Sequence, residues 1–382
     1  MIYFDNASTS LQKPEEVALA VFQAIKNGSG NPGRGANRIS MDAGRVIMDC
    51  RLALMELLQG ASPEHVVFKS SVTEALNTII LGLLKQGDHV ITSVMEHNSV
   101  LRPLESLRMK GIITYDLLGT DSNGKLNLDE IKFLEKPETK AVILSHVSNL
   151  TGSIQPLEKV REHLFNKEIF IIADCAQSAG YINVGMQNLN VDAIAFTGHK
   201  GLLGPQGTGG FLLNDRLDYA LQPVFTGGTG SDSLSLIQPN FLPDKFEAGT
   251  HNTPGISGLL EGVKYIESIS IDSIIKRNKV LMAYFLEKIS SIPHIEIQGS
   301  LDIEERIPNF SLKFKNLESS EAAYLLETQY DIITRSGYHC APLAHKALGT
   351  GSTGTVRISF GHYTTLAEID ELLAALRNLS EV

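Results

Sequence analysis

Two short β-branched runs, each ending in a charged residue, constrain this chain more than any other feature. Phe170-Ile171-Ile172-Ala173 leads into Asp174-Cys175-Ala176-Gln177, and Ala193-Ile194-Ala195-Phe196 leads into Thr197-Gly198-His199-Lys200-Gly201. Apolar runs of this length followed by turn-formers read as buried strands. Their ends then carry a carboxylate and a lysine to the edge where parallel sheets open their clefts. A pyridoxal phosphate site needs that pair: a lysine to hold the ring through an imine, and a buried acid to keep the ring nitrogen protonated. Asp174 and Lys200 supply the two ends, Gln177 is placed to donate to the ring hydroxyl oxygen, and Thr197 and His199 to bond the phosphate. Singly, Asp174 reads as a helix cap and Lys200 as a solvated loop residue; the set argues for a site.

The rest of the chain supports a sheet of this kind. Tyr3 to Ser10 is extended, and Pro14 opens a helix with Val17, Val21, Ala24 and Ile25 on one face, stopped by Gly28. Gly30 to Ala36 is too rich in glycine and proline for regular structure. Asp42 to Leu58 has helical spacing, with Cys50 among its core positions. His65-Val66-Val67-Phe68 reads as a strand, and Lys69 to Glu74 turns into a helix from Ala75 to Leu84. Small hydroxyl residues at that helix start make an anion site around Val72 and Thr73, although an ordinary cap would look similar. His89 to Thr92 is a further strand, and His97 lies just past its end, where a helix opens.

Strands at Ile112–Leu118, Val142–His146, Ile169–Ala173, Ala193–Phe196 and Gly210–Leu213, with helical stretches such as Leu157 to Phe165 between them, predict an α/β fold. The sheet is expected to be mostly parallel, with helices on both faces. From Pro254 the pattern changes to a smaller α+β domain, whose last helix after Thr364 starts with the capping box Thr365 and Glu368. The expected division is a large domain over 15–253 and a small one from 1–14 and 254–382. Gly204 to Gly210 is glycine-crowded but does not open the first strand-helix unit, which excludes a dinucleotide fingerprint.

Three further residues carry chemistry. Arg357, among apolar neighbours in Gly354–Phe360, has the planar fork that grips a carboxylate with two prongs. Asn149, after another strand end, can bond the same carboxylate or form an ordinary Asx turn. Cys340 stands in Thr334-Arg335-Ser336-Gly337-Tyr338-His339-Cys340-Ala341-Pro342, a loop composition in which Arg335 and His339 can favour the thiolate. Cys50, Cys175 and Cys340 have neither metal-ligand nor disulfide spacing, and a reducing cytoplasm fits them. A net charge of −10 argues against nucleic acid or an anionic membrane as partner. Met1 enters directly into foldable sequence, with no targeting or membrane segment expected.

ADCAQ, followed by FTGHKGLLGPQGTG, resembles the core of the class V aminotransferase family, pyridoxal phosphate enzymes of the type I fold. The resemblance runs from YFDNAST near residue 3 to VRISFGHYTT near residue 365, and within the family it points to cysteine desulfurases and selenocysteine lyases. It implies that His97 lies on the cofactor ring, that Asn149 and Arg357 hold the substrate carboxylate, and that Thr250 contacts the phosphate of a second subunit in a homodimer. The loop at Gly30–Ala36 resembles one that reaches a neighbouring subunit's site. The Cys340 segment resembles the short active-site loop of group II desulfurases, with Tyr338 where histidine is common. Ser71 stands where the family usually has glycine.

The implied reaction converts L-cysteine to L-alanine, with sulfur passing to Cys340 as a persulfide and onward to an acceptor protein or thiol, a chemistry associated with iron–sulfur assembly. L-selenocysteine as substrate, an aminotransferase or β-lyase outcome, and a catalytically quiet partner in sulfur delivery remain the alternatives.

Overall fold

The computed structural model describes residues 1–33 and 37–379. Arg34, Gly35 and Ala36, the end of the glycine-rich loop, lie outside the described residues. The β-branched runs form a seven-stranded sheet in the order Val66–Lys69, Gly209–Leu213, Ala193–Thr197, Phe170–Asp174, Thr139–Ser145, His89–Ser93, Thr114–Leu118. Gly209–Leu213 is antiparallel to both neighbours, and the other pairings in the sheet are parallel.

Alternation along each strand explains why both faces are covered. Ile171, Ala173, Ile194 and Phe196 enter one apolar core, and Phe170, Ile172, Ala193 and Ala195 enter the other. Strands buried on both sides read as continuous apolar runs, which is how these appear in the sequence. Helices Val72–Leu83 and Asn98–Met109 supply the second core, whereas Arg38–Leu57 and Thr253–Ile269 supply the first. Each buried Ile or Val contributes about 1.5–3 kcal/mol, and together they fix the height at which the strand ends emerge.

A second, antiparallel sheet has the order Arg335–Gly337, Thr355–Ser359, Asn309–Phe314, Ile295–Gln298. Its core is shared by the helices Ile271–Ile289, Ser319–Tyr330 and Leu366–Leu379, and by Ile2 and Phe4 from the chain start. The segment Ile2–Tyr3 pairs in parallel with Ile332–Ile333. The helix Thr253–Ile269 buries Ile256, Leu259, Leu260, Val263 and Ile266 in the large-sheet core. Core membership therefore changes one helix later than the expected boundary at 253/254. The helix expected over Leu157 to Phe165 is a 3-10 turn, Leu157–Lys159, and a single α turn, Val160–His163. Leu157, Val160 and Leu164 give the helical spacing but all insert into the core, and the backbone turns extended at Leu164.

Candidate active site

The carboxyl ends of the parallel strands gather the expected acid and lysine. Asp174 closes its strand, nine-tenths or more buried, and Ala195 pairs with it on the next strand, two residues before Thr197. The turns after the two strands are drawn together at Gly180 and Gly201. A Cβ on Gly180, at φ +85, would lie 2.2 Å from the Gly201 carbonyl oxygen, and one on Gly201 would lie 2.3 Å from that of Ala179. Glycine at both positions permits this approach and holds Lys200 beside the Asp174 turn.

The electrostatics suit a bound cation-bearing ring. Burial lowers the Lys200 pKa to about 8, helped by the Arg357 charge and opposed by Asp174. Burial raises the Asp174 carboxyl, whose Oδ1 accepts from Ala176 N at 2.9 Å while Oδ2 has only the Ser99 hydroxyl at 3.5 Å. A carboxylate so poorly compensated is completed by a positive partner. Thr197 Oγ1, His199 Nδ1 and Gln177 Oε1 are all buried without a hydrogen-bond partner among the described residues. Clustered orphan polar atoms around one acid and one lysine fit pyridoxal phosphate, since buried polar groups otherwise find partners within the fold. Gln177 Nε2 donates to the Ala7 carbonyl at 3.0 Å, so one of its N–H groups positions the chain start rather than a ring.

The helix Val72–Leu83 begins alongside. A Cβ on Gly209, which pairs with Thr197, would approach Ser71 within 3.0 Å. Ser71 caps this helix by accepting from Glu74 N, and Glu74 reaches back to Ser70. The N–H groups of Val72 and Thr73 are left for an anion. His97 caps the helix Asn98–Met109, its Nδ1 accepting from Ser99 N at 3.0 Å. The acceptor role of Nδ1 places the proton on Nε2. Burial and the charges of Lys200, Arg335 and Arg357 lower its pKa to about 4, so the ring is neutral near pH 7.

Cys340 is half-buried, whereas Cys50 and Cys175 are buried and their thiols are pushed up by burial. Its loop docks onto the large domain: Asn98 N donates to the Cys340 carbonyl at 2.8 Å, and Asn149 Nδ2 to the His339 carbonyl at 2.6 Å. His339 and Cys340 both have left-handed backbones, φ +49 and +58. Arg335 Nη2 lies 3.8 Å from the Cys340 sulfur, in keeping with expectation. His339 departs from it. Burial and nearby arginines hold its imidazole well below the usual histidine range, and Nε2 is 3.1 Å from the Thr355 carbonyl, so it is a neutral anchor and adds no positive charge beside the thiol.

Arg357 is fully buried, and its fork is already engaged. Nη1 donates to the Asn149 carbonyl at 3.1 Å, and Nη2 to Asp5 Oδ1 at 2.8 Å and the Ser8 hydroxyl at 2.7 Å; Nε has no partner. Asn149 thus bridges Arg357 and the Cys340 loop, with one of its two amide hydrogens given to that loop. Asp5, Ser8 and Ser99 are site residues that the residue-by-residue reading missed. The only signal for the first two was the YFDNAST run. Thr250 is exposed and lines a separate cavity of about 210 Å³ with Lys69, Ser70, Gly207 and Asn252, whose described lining excludes Lys200 and Asp174. Among the described residues, no cluster of three or more metal-ligating side chains occurs, and no helix is long and apolar enough to cross a membrane.

Comparison with known proteins gives the class. A family model described as aminotransferase class-V matches residues 2–372. A protein of Pyrococcus abyssi named a probable cysteine desulfurase is 33% identical, over 99% of this chain and 94% of its own. One of the same name from Methanothermobacter thermautotrophicus is 31% identical, over 99% and 94%. Among solved structures, the apo cysteine desulfurase of Thermococcus onnurineus superimposes with a TM-score of 0.92 at 31% identity, covering 100% of this chain and 94% of that one. An S-sulfonic acid form of an Escherichia coli cysteine desulfurase gives 0.89 at 26% identity, over 99% and 94%. The chain belongs to the class-V aminotransferase family, and pyridoxal phosphate is its cofactor.

Proposed function

We propose that this protein is a cysteine desulfurase that takes L-cysteine to L-alanine and places the sulfur on Cys340. The observation that carries the reading is the docking of a half-buried cysteine, backed by Arg335, onto the helix start that presents His97 beside the Lys200 site. Asp174, Gln177, Thr197, His199, Val72 and Thr73 would hold pyridoxal phosphate, with Lys200 as its attachment point. Bound there, the cofactor supplies an electron sink for the substrate's α-carbon.

The chain's own residues do the rest. Arg357 holds the α-carboxylate. Lys200, with a pKa lowered to about 8, is suited to take and return the α-proton near neutrality. His97, neutral with its proton on Nε2, offers that N–H as a hydrogen-bond donor beside the Lys200 site and does not itself give up the proton. The Cys340 sulfur attacks the substrate sulfur; the carbon–sulfur bond breaks, a sulfur–sulfur bond forms, and the β-carbon takes a proton. Atoms balance as one cysteine and one thiol giving one alanine and one persulfide, with the terminal sulfur then passing to an acceptor thiol or protein.

Leu19, Phe22 and Ile25 on the first helix, and Ile39, Met41 and Met48 on the second, are exposed. An apolar surface of this kind supports a homodimer in which Thr250 serves the partner's phosphate site. The functional reading is tested by quantifying alanine and pyruvate from L-cysteine with the wild-type protein and Cys340→Ala. Alanine from the first and none from the second is expected. Pyruvate, or undiminished alanine from Cys340→Ala, would instead indicate a β-lyase or a mechanism without Cys340. Comparing L-selenocysteine in the same pair separates a lyase for that substrate, because selenium is the more easily released atom.

A further inference from the structure

Asp5 sits where an amino acid's carboxylate has to arrive. Its Oδ1 is 2.8 Å from Arg357 Nη2, with side chains 17% and 1% exposed respectively. The Ser8 hydroxyl accepts from the same Nη2 and donates to Asp5 Oδ1 at 2.8 Å, and Arg335 donates to that hydroxyl at 2.9 Å. Nη2 has two hydrogens, and both are taken. Nε, the neighbouring donor on the fork, is buried without a partner among the described residues. A two-pronged grip through Nε and Nη2 therefore needs a hydrogen now given to Asp5 or Ser8.

Asp5 is held in place by backbone as well as by charge. It forms a parallel bridge with Ser359, and its carbonyl accepts from Ser8 N at 3.1 Å. The residues after it are tied to the cofactor turn, Ala7 by Gln177 and Ser10 N by the His199 carbonyl at 3.0 Å. A guanidinium buried this deeply needs an anion, and the resting protein provides its own. An incoming α-carboxylate meets the Asp5 charge at the same guanidinium, and like charges in a cleft of low dielectric repel.

We propose that Asp5 is a specificity-determining residue: an internal counter-ion that competes with the substrate's α-carboxylate for Arg357 and thereby sets amino-acid affinity. This deepens the proposed function and rests on its assignment of Arg357 to the carboxylate. The exchange occurs one residue from the nucleophile's loop, since Arg357 reaches Asn149 and Asn149 reaches the His339 carbonyl.

The test titrates cofactor-loaded protein with L-alanine and with L-alaninamide, which lacks the carboxylate charge. Cofactor absorbance and the thermal midpoint are followed in the wild type, Asp5→Asn, Asp5→Ser and Arg357→Gln. Asp5→Asn keeps the size of the side chain and an acceptor for Ser8, and Asp5→Ser provides a second uncharged variant if the first is unstable. The expected result is L-alanine binding about tenfold tighter in the Asp5 variants, unchanged L-alaninamide binding, and a lower KM for L-cysteine with kcat little altered. Unchanged or weaker L-alanine binding in a stable Asp5 variant, alongside weakened binding in Arg357→Gln, overturns the role of Asp5 alone. Full L-alanine affinity in Arg357→Gln removes the carboxylate assignment and the competition with it.

Discussion

The two halves of the site are in opposite states of completion. At the strand ends, Thr197, His199 and Gln177 each hold an unpartnered polar atom, and Asp174 has one oxygen with only a distant hydroxyl. Around Arg357 the groups engage one another: Asp5, Ser8 and the Asn149 carbonyl take up Nη1 and Nη2 while Nε stays open, and Asn149 passes the connection to the Cys340 loop. The first region is built around a resident group that completes it. On the proposed function the second receives a transient ligand, and the Asp5 carboxylate is the internal substitute that it would exchange. Unpartnered atoms gathered around an acid and a lysine thus accompany the cofactor region, and an internal ion pair accompanies the proposed substrate region.

Mutation sharpens the contrast. Lys200→Ala breaks the first region at its centre and is expected to lower alanine formation by about 10⁴-fold, measured with protein saturated in pyridoxal phosphate. The loading of cofactor-free protein reports the same lysine. Only the neutral amine attacks the cofactor's aldehyde, and a lysine pKa lowered to about 8 by burial makes that form abundant two units or more below the usual range. Loading rate should therefore rise about fiftyfold from about pH 6 to about pH 8 and level off above about pH 9. A rate still climbing steeply at about pH 10 means that Lys200 is unshifted.

Arg357→Lys acts on the second region, replacing a fork with a point charge. KM for L-cysteine should rise about 10- to 100-fold while the cofactor absorbance is kept, the loss of one charge-assisted hydrogen bond being about 1.5–3 kcal/mol. Ser99→Ala is the mildest. It removes the hydroxyl between His97 and Asp174 and should slow turnover by about fivefold, in line with one net hydrogen bond of about 1 kcal/mol. Equal losses in all three variants, or a KM effect from Ser99→Ala, would erase the distinction between the two regions.

The first region was legible in the sequence and the second only in part, for a reason of distance along the chain. Asp174, Gln177, Thr197, His199 and Lys200 lie within 27 residues, at the ends of two neighbouring strands and in the turns after them, so local pattern shows what they share. Asp5 meets Arg357 across 352 positions, and no periodicity links them. The link from Asn149 to the Cys340 loop does not show in the sequence, because a strand-end asparagine looks the same whether its carboxamide faces a cleft or a loop. His339 reads as able to favour the Cys340 thiolate because sequence adjacency says nothing of burial, which keeps its imidazole neutral. The short helix after Leu157 was overdrawn because three core contacts mimic a longer amphipathic face. The strands themselves were found within a few residues, since two-sided burial leaves a composition that few other elements share.

The central claim is that sulfur leaves L-cysteine for Cys340. The most direct measurement is to mix cofactor-loaded protein with L-cysteine, without any acceptor, and compare the alanine released with the sulfur gained at each cysteine by peptide mass spectrometry. The account predicts one alanine per site in the first turnover and one added sulfur on Cys340, with Cys50 and Cys175 unmodified. Alanine released with no added sulfur on Cys340, or sulfur added equally to all three cysteines, would contradict it.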